Sequence, residues 1–125
     1  MTVPSSDEQE LENWFFENIS TDKKQVFKKF EMTISVMQDA DSIRRVAYEA
    51  VEDLVEDGVV YGELRYAPLQ HLQGKLSSQE VVDAVSTGIK DGQKDFGGEF
   101  YTILCAMRQH KNSTEVAELA IKNFN

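Results

Sequence analysis

Along most of this chain apolar residues return every three or four positions, and only two stretches break into continuous β-forming runs. From Asp7 the spacing predicts a helix with Leu11, Trp14, Phe15 and Ile19 on one side. Ser20-Thr21-Asp22 ends it and offers a new N-cap. A second helix is predicted over 23–37, with Val26, Phe27, Phe30, Ile34 and Met37 on its apolar side. Asp39-Ala40-Asp41-Ser42 reads as a turn with capping side chains. The longest stripe follows: Ile43, Val46, Ala47, Ala50, Val51, Leu54 and Val55, with Gly58 placed to end the helix in the left-handed region.

The first β run, 59–66, is stopped by Pro68, and 69–76 reads as a loop. Ser77 and Glu80 have the spacing of a capping box. The helix predicted over 78–95 buries Val81, Val82, Val85, Ile89 and Phe96. Gly88 and Gly92 fall on much the same side, where glycine lowers helix propensity, so a close approach to a sheet is expected there. A second strand is expected over 100–107 after Gly97-Gly98. Asn112 and Glu115 are placed to cap a last helix bearing Val116, Leu119, Ala120 and Phe124.

Two strands joined by a long helical crossover should be parallel neighbours with a right-handed connection. Parallel sheets are covered on both faces and rarely stop at two strands, so the pattern asks for more strands than it contains. The chain therefore reads as an α/β segment of a larger protein. Residues 1–6 are a disordered lead-in and 7–125 form a single incomplete unit, with helices before, between and after about two parallel strands.

The 41 % hydrophobic and 28 % charged content of the 125 residues is ordinary for a globular protein. A net charge of −9 disfavours a nucleic-acid partner, because a phosphate backbone is bound by clustered Lys and Arg. The run Lys23, Lys24, Lys28, Lys29 reads as a solvated helix face. A lone cysteine, Cys105, excludes an internal disulfide framework and any Cys-x-x-Cys motif, and reads as a buried small apolar residue. No apolar run approaches the roughly 18 residues of a membrane span, so no membrane partner is expected and a cytoplasmic location is the default.

The run RVAYEAVEDLVEDGVVYGELRYAPLQH (45–71) is similar to the second β/α unit of adenosine deaminases. SSQEVVDAVSTGIKDGQKDFG (77–97) followed by ILCAMR (103–108) resembles that family's next crossover helix and third barrel strand. Order and spacing agree over about 23–122. The resemblance implies a partial (β/α)8 TIM-barrel segment, whose ligands lie at the C-terminal ends of the strands. It also implies hydrolytic deamination of adenosine to inosine in the complete enzyme, by a zinc-bound water assisted by a glutamate, a histidine and an aspartate.

The same resemblance places the family's His-x-His upstream of this sequence, and its third histidine, catalytic glutamate, His-Ala-Gly-Glu segment and paired aspartates downstream. Only His71 and His110 are present, and both read as loop residues. Catalytic zinc takes about three protein ligands. No catalytic or metal residue is therefore assigned, and no cofactor is expected on this chain alone, zinc belonging to the complete parent family. What the resemblance does carry over is a nucleoside lid, Val26, Phe27 and Phe30, and a purine contact, Met107. The chain departs from the family in the lid, with Lys23 at a leucine position and Val26 at a phenylalanine position. Read from the residues alone, those four are ordinary packing positions. Glu63 and Arg65, two apart on a strand, face one way and read as a structural ion pair of the barrel interior. Arg108 reads as a loop anchor.

The leading expectation is a deaminase segment, inactive alone, whose substrate in the complete enzyme is an adenosine-type nucleoside. The alternatives are a small barrel-derived interaction module or one half of a split deaminase, and an adenine or AMP deaminase relative. Unpaired strand edges make self-association an expected property.

Overall fold

The structure is a computed structural model that describes residues 3–16 and 23–124. Ile19 and Ser20-Thr21-Asp22 lie outside the described residues. The chain forms two compact units, Met1–Val36 and Met37–Asn125, where the sequence pattern reads 7–125 as one.

The first unit holds α1 (Glu8–Phe16) and α2 (Lys23–Ser35). Part of the expected lead-in is engaged in capping: Ser5 Oγ accepts from the Asp7 amide at 3.0 Å, and Asp7 Oδ1 accepts from the Glu10 amide at 2.9 Å. These contacts satisfy amides that the first turn of α1 leaves without intrahelical partners. Trp14 meets Phe15 edge-on at 5.0 Å. The Lys29 ammonium donates to the Phe15 carbonyl and ties α2 to the end of α1. Met32 is buried, whereas Val26, Phe27 and Phe30 are 40, 62 and 59 % exposed. The apolar side read from the sequence is thus an open face in this unit. α2 stops at Ser35, and Met37 packs in the second unit instead.

The second unit is α3 (Ala40–Glu56), β1 (Tyr61–Tyr66), a 3-10 turn (Pro68–His71), α4 (Ser78–Phe96), β2 (Glu99–Leu104) and α5 (Ser113–Lys122). Asp39 caps α3, its carboxylate accepting from the Ser42 amide at 2.9 Å and hydroxyl at 2.7 Å, which holds its pKa below the ordinary value. At the other end Gly58 adopts φ +87°, the Gly58 amide donates to Val55 O and the Val59 amide to Leu54 O. This pair of bonds is the Schellman arrangement, and it turns the chain straight into β1. The expected capping box opens α4: Ser77 Oγ accepts from the Glu80 amide at 3.2 Å, and Glu80 Oε2 accepts from the Ser77 amide at 2.8 Å. Asn112 stands at the N-cap of α5 but makes no side-chain cap bond, contrary to the sequence expectation. A reciprocal amide pair, Gln79 with Asn123 at 2.8 and 3.1 Å, ties the end of α5 to the start of α4.

β1 and β2 are parallel neighbours, Tyr61 beside Glu99 through Tyr66 beside Leu104. One face packs on the helices. Ile43, Val81 and Ala84 form a cluster that takes in Tyr66, Leu72 and Leu76, and Val51, Ile89 and Phe100 form another that takes in Leu64, Leu54 and Phe96. Val51 and Val81 are 0 % exposed. The glycines of α4 meet a helix and not a sheet: a Cβ at Gly88 would stand 2.2 Å from Arg44 O, and one at Gly92 2.8 Å from Val51 Cβ. Their missing side chains let α3 and α4 approach backbone to side chain. Val46 and Phe124, expected on apolar sides, are exposed. Among the described residues, no helix is long and apolar enough to cross a membrane.

Candidate functional site

Because the strands are parallel, both C-terminal ends open on the same edge of the sheet. β1 leaves through Ala67 into the 3-10 turn, and β2 leaves through Cys105, whose amide donates to Tyr66 O at 2.9 Å and extends the ladder by one step. Between these exits is a small crevice lined by Ala67, Leu69, Cys105, Met107, His110 and Val116. Met107 is half-buried in its wall. Val26, Phe27 and Phe30 belong to α2 of the first unit.

The histidines have separate tasks. His71 is 8 % exposed and its Nδ1 lies 2.8 Å from Met37 O, so that nitrogen carries the proton and donates. The expected loop histidine is therefore a buried pin. His110 is exposed, its Nε2 3.2 Å from Gln70 Nε2, and its amide donates to Met107 O at 3.0 Å. Gln38 faces the same turn: its Nε2 donates to Gln70 O at 3.0 Å and its Oε1 accepts from the Gln73 amide at 2.9 Å. Nothing in the hydrophobic periodicity marks Gln38 or Gln70, since side-chain amides carry no pattern of their own.

The face of the sheet turned from the helices carries Tyr61, Glu63 and Arg65 beside Glu99, Tyr101 and Ile103. Tyr61 donates to Glu63 Oε1 at 2.8 Å, and Tyr101 to Glu99 Oε1 at 2.5 Å, with the two rings 5.9 Å apart. Each carboxylate raises the pKa of the phenol that donates to it. The expected Glu63–Arg65 pair does not form among the described residues. The Tyr61 hydroxyl takes the Glu63 carboxylate, and the strand sets alternate side chains about 6.6 Å apart. On this exposed face no desolvation drives the two charges together.

Away from the strand ends, a shallow groove runs along the outside of α3 and α4. Several of its polar side chains pair with one another: Arg44 with Asp91 at 3.2 Å, Arg45 with Glu49 at 2.7 Å, and the Tyr48 hydroxyl on Asp95 at 2.8 Å. Among the described residues no group of three or more His, Cys, Asp or Glu side chains is placed to hold a metal ion. The described residues do not fit a zinc centre, because His71 is committed to a carbonyl and His110 stands at the rim with an amide.

Two parallel strands joined by a covering crossover helix form a β/α repeat of the kind from which a (β/α)8 barrel is built. The family model described as adenosine deaminase matches residues 1–124. Similar proteins include the adenosine deaminase of Mycobacterium avium (strain 104), 41 % identical over 96 % of this chain and 34 % of that protein. Adenosine deaminase 1 of Streptomyces coelicolor is 42 % identical over 94 % of this chain and 31 % of its own length. The adenosine deaminase of Mycolicibacterium vanbaalenii is 49 % identical over 74 % of this chain and 27 % of its own. The chain belongs to the adenosine deaminase family. It spans about a third of the length of the first of these relatives.

Proposed function

We propose that this chain supplies one wall of an adenosine deaminase barrel and performs no deamination without the remainder. The reading is supported above all by the family match along the chain, together with described residues that hold no metal-binding group. Met107, at the strand-exit crevice, is the purine contact, and Val26, Phe27 and Phe30 form an apolar lid over the nucleoside. The complete enzyme converts adenosine and water to inosine and ammonia with zinc supplying the activated water, and it works in the cytoplasm. Glu63 and Arg65 line the barrel interior, where further strands would enclose them.

The test incubates the purified chain with adenosine, with and without added zinc, and follows absorbance at the adenine band. No turnover above background is expected. Steady conversion to inosine that a chelator abolishes would overturn the reading. A second arm adds a separately expressed polypeptide covering the rest of the family's length, and recovery of activity on mixing is the expected result.

A second reading, a small interaction module, is favoured by one observation: the helix-side clusters are already closed, with Val51 and Val81 fully buried.

A further inference from the structure

In the turn after β1 the Gln70 carbonyl and the Gln73 amide both take a side-chain partner. A single planar side chain, the Gln38 amide, satisfies both, at 3.0 and 2.9 Å. A carboxamide offers donor and acceptor in fixed geometry, so it sets the spacing of those two groups and with it the shape of the turn. His71 fastens the neighbouring residue, its Nδ1 donating to Met37 O. The turn is thus pinned on one side by two consecutive residues of the segment that leads into α3.

On its other side the same turn sends out the Gln70 side chain, which meets His110 at 3.2 Å on the β2 exit. The His110 amide closes a turn onto Met107 O. A continuous hydrogen-bonded line therefore runs from Gln38 through the Gln70 peptide and side chain to His110 and Met107. It joins the two strand exits at the edge where barrels of this architecture bind their ligands.

We propose that Gln38 and Gln70 are positioning residues for the purine end of the nucleoside pocket, holding the Met107 turn at a fixed distance from the β1 exit. The inference rests on the reading that Met107 lies against the purine. Gln38 acts through the backbone of the turn, and Gln70 acts through its own side chain. Loss of Gln70's amide should therefore release Met107 and leave the rest of the turn in place.

The chain reports on both ends of this line through its own methionines. Met37 lies at one end and Met107 at the other, with Met32 in the first unit as an internal standard. With the methionine methyls isotopically labelled, Gln70→Leu is expected to move the Met107 resonance and leave Met37 and Met32 unchanged. Gln38→Leu is expected to move both Met37 and Met107. Adenosine is then titrated into the unsubstituted chain and into Gln70→Leu, each mixed with the separately expressed remainder of the family's length and with zinc withheld so that binding is read without turnover. Its dissociation constant, read at Met107, should rise about fivefold, the equivalent of one hydrogen bond, with no change in melting temperature. If Gln38→Leu fails to fold, Gln70→Leu still decides, because it leaves the Gln38 clamp intact. A Met107 resonance unmoved by Gln70→Leu, or an adenosine affinity indifferent to it, overturns the proposal. Adenosine that leaves Met107 unmoved in the mixture with the unsubstituted chain sinks the underlying reading of the pocket, a failure separate from that of the network.

Discussion

The two faces of the β1–β2 pair come from alternate residues of the same strands and meet opposite surroundings. On one, Leu64, Tyr66 and Phe100 join the clusters built by Val51, Val81 and Ile89. On the other, Tyr61, Tyr101 and Ile103 are 53, 52 and 42 % exposed, and the polar groups among them bond chiefly to one another. A parallel sheet is normally covered on both faces. The helix side is therefore a finished half-core, and the open side is what further barrel strands would enclose.

The hardest strike at the finished half is Gly88→Val. A Cβ there already collides with Arg44 O, so the branched side chain should lower stability by about 3 kcal/mol, measured as the urea midpoint. A loss below about 1 kcal/mol would mean that α3 and α4 are not closely docked.

The open half is probed by association. At micromolar concentration the chain should sediment as an oligomer, and Ile103→Lys should weaken that assembly about tenfold by placing a charge on the exposed apolar site. A sharply melting monomer would instead give the interaction-module reading the advantage, because the open face would then need no cover.

Smaller differences separate the helix caps. Ser77→Ala should lower stability by about 1 kcal/mol through loss of the capping box, whereas Asn112→Ala should change it by only a few tenths, about the level of a neutral surface substitution. Equal effects at the two sites would contradict the cap geometry.

The smallest effect sharpens the half-core itself. The Tyr66 hydroxyl is buried without a hydrogen-bond partner among the described residues. Tyr66→Phe should accordingly be neutral or stabilise by up to about 1 kcal/mol in thermal melts. Burial first, then the charge of Asp83, pushes its pKa above the ordinary tyrosine value. The folded form keeps its proton where the unfolded chain has lost it, so this contribution is full below about pH 10 and declines as pH rises further. That part of the alkaline loss should be missing in the Phe variant.

Much of the fold was legible because local chemistry and tertiary structure agree. The Ser77–Glu80 box, Gly58 at the end of α3 and the parallel pairing across α4 all follow from residue types at set spacings. What stayed hidden depended on which partner arrives. Gly88 and Gly92 mark a close approach, but periodicity alone does not say that α3 is what approaches. Val26, Phe27 and Phe30 have helical spacing, yet spacing cannot tell a buried stripe from an open one. Glu63 was free to choose between Arg65 and the Tyr61 hydroxyl, and the sequence holds both. At the candidate site, Met107 came from resemblance, while the Gln38–Gln70–His110 line appears only when the two strand exits are set side by side.

The division into two units also separates the chain's chromophores. Its one tryptophan, Trp14, stands against Phe15 in the first unit, and all four tyrosines, Tyr48, Tyr61, Tyr66 and Tyr101, belong to the second. Light at the red edge of aromatic absorption, which excites indole alone, therefore follows the α1–α2 unit without any label. Tyrosine circular dichroism in the near ultraviolet is weighted to the sheet and its covering helices. Recorded on one sample during a melt, the two signals show whether the units unfold together or in turn, since coincident transitions are the mark of a single cooperative system.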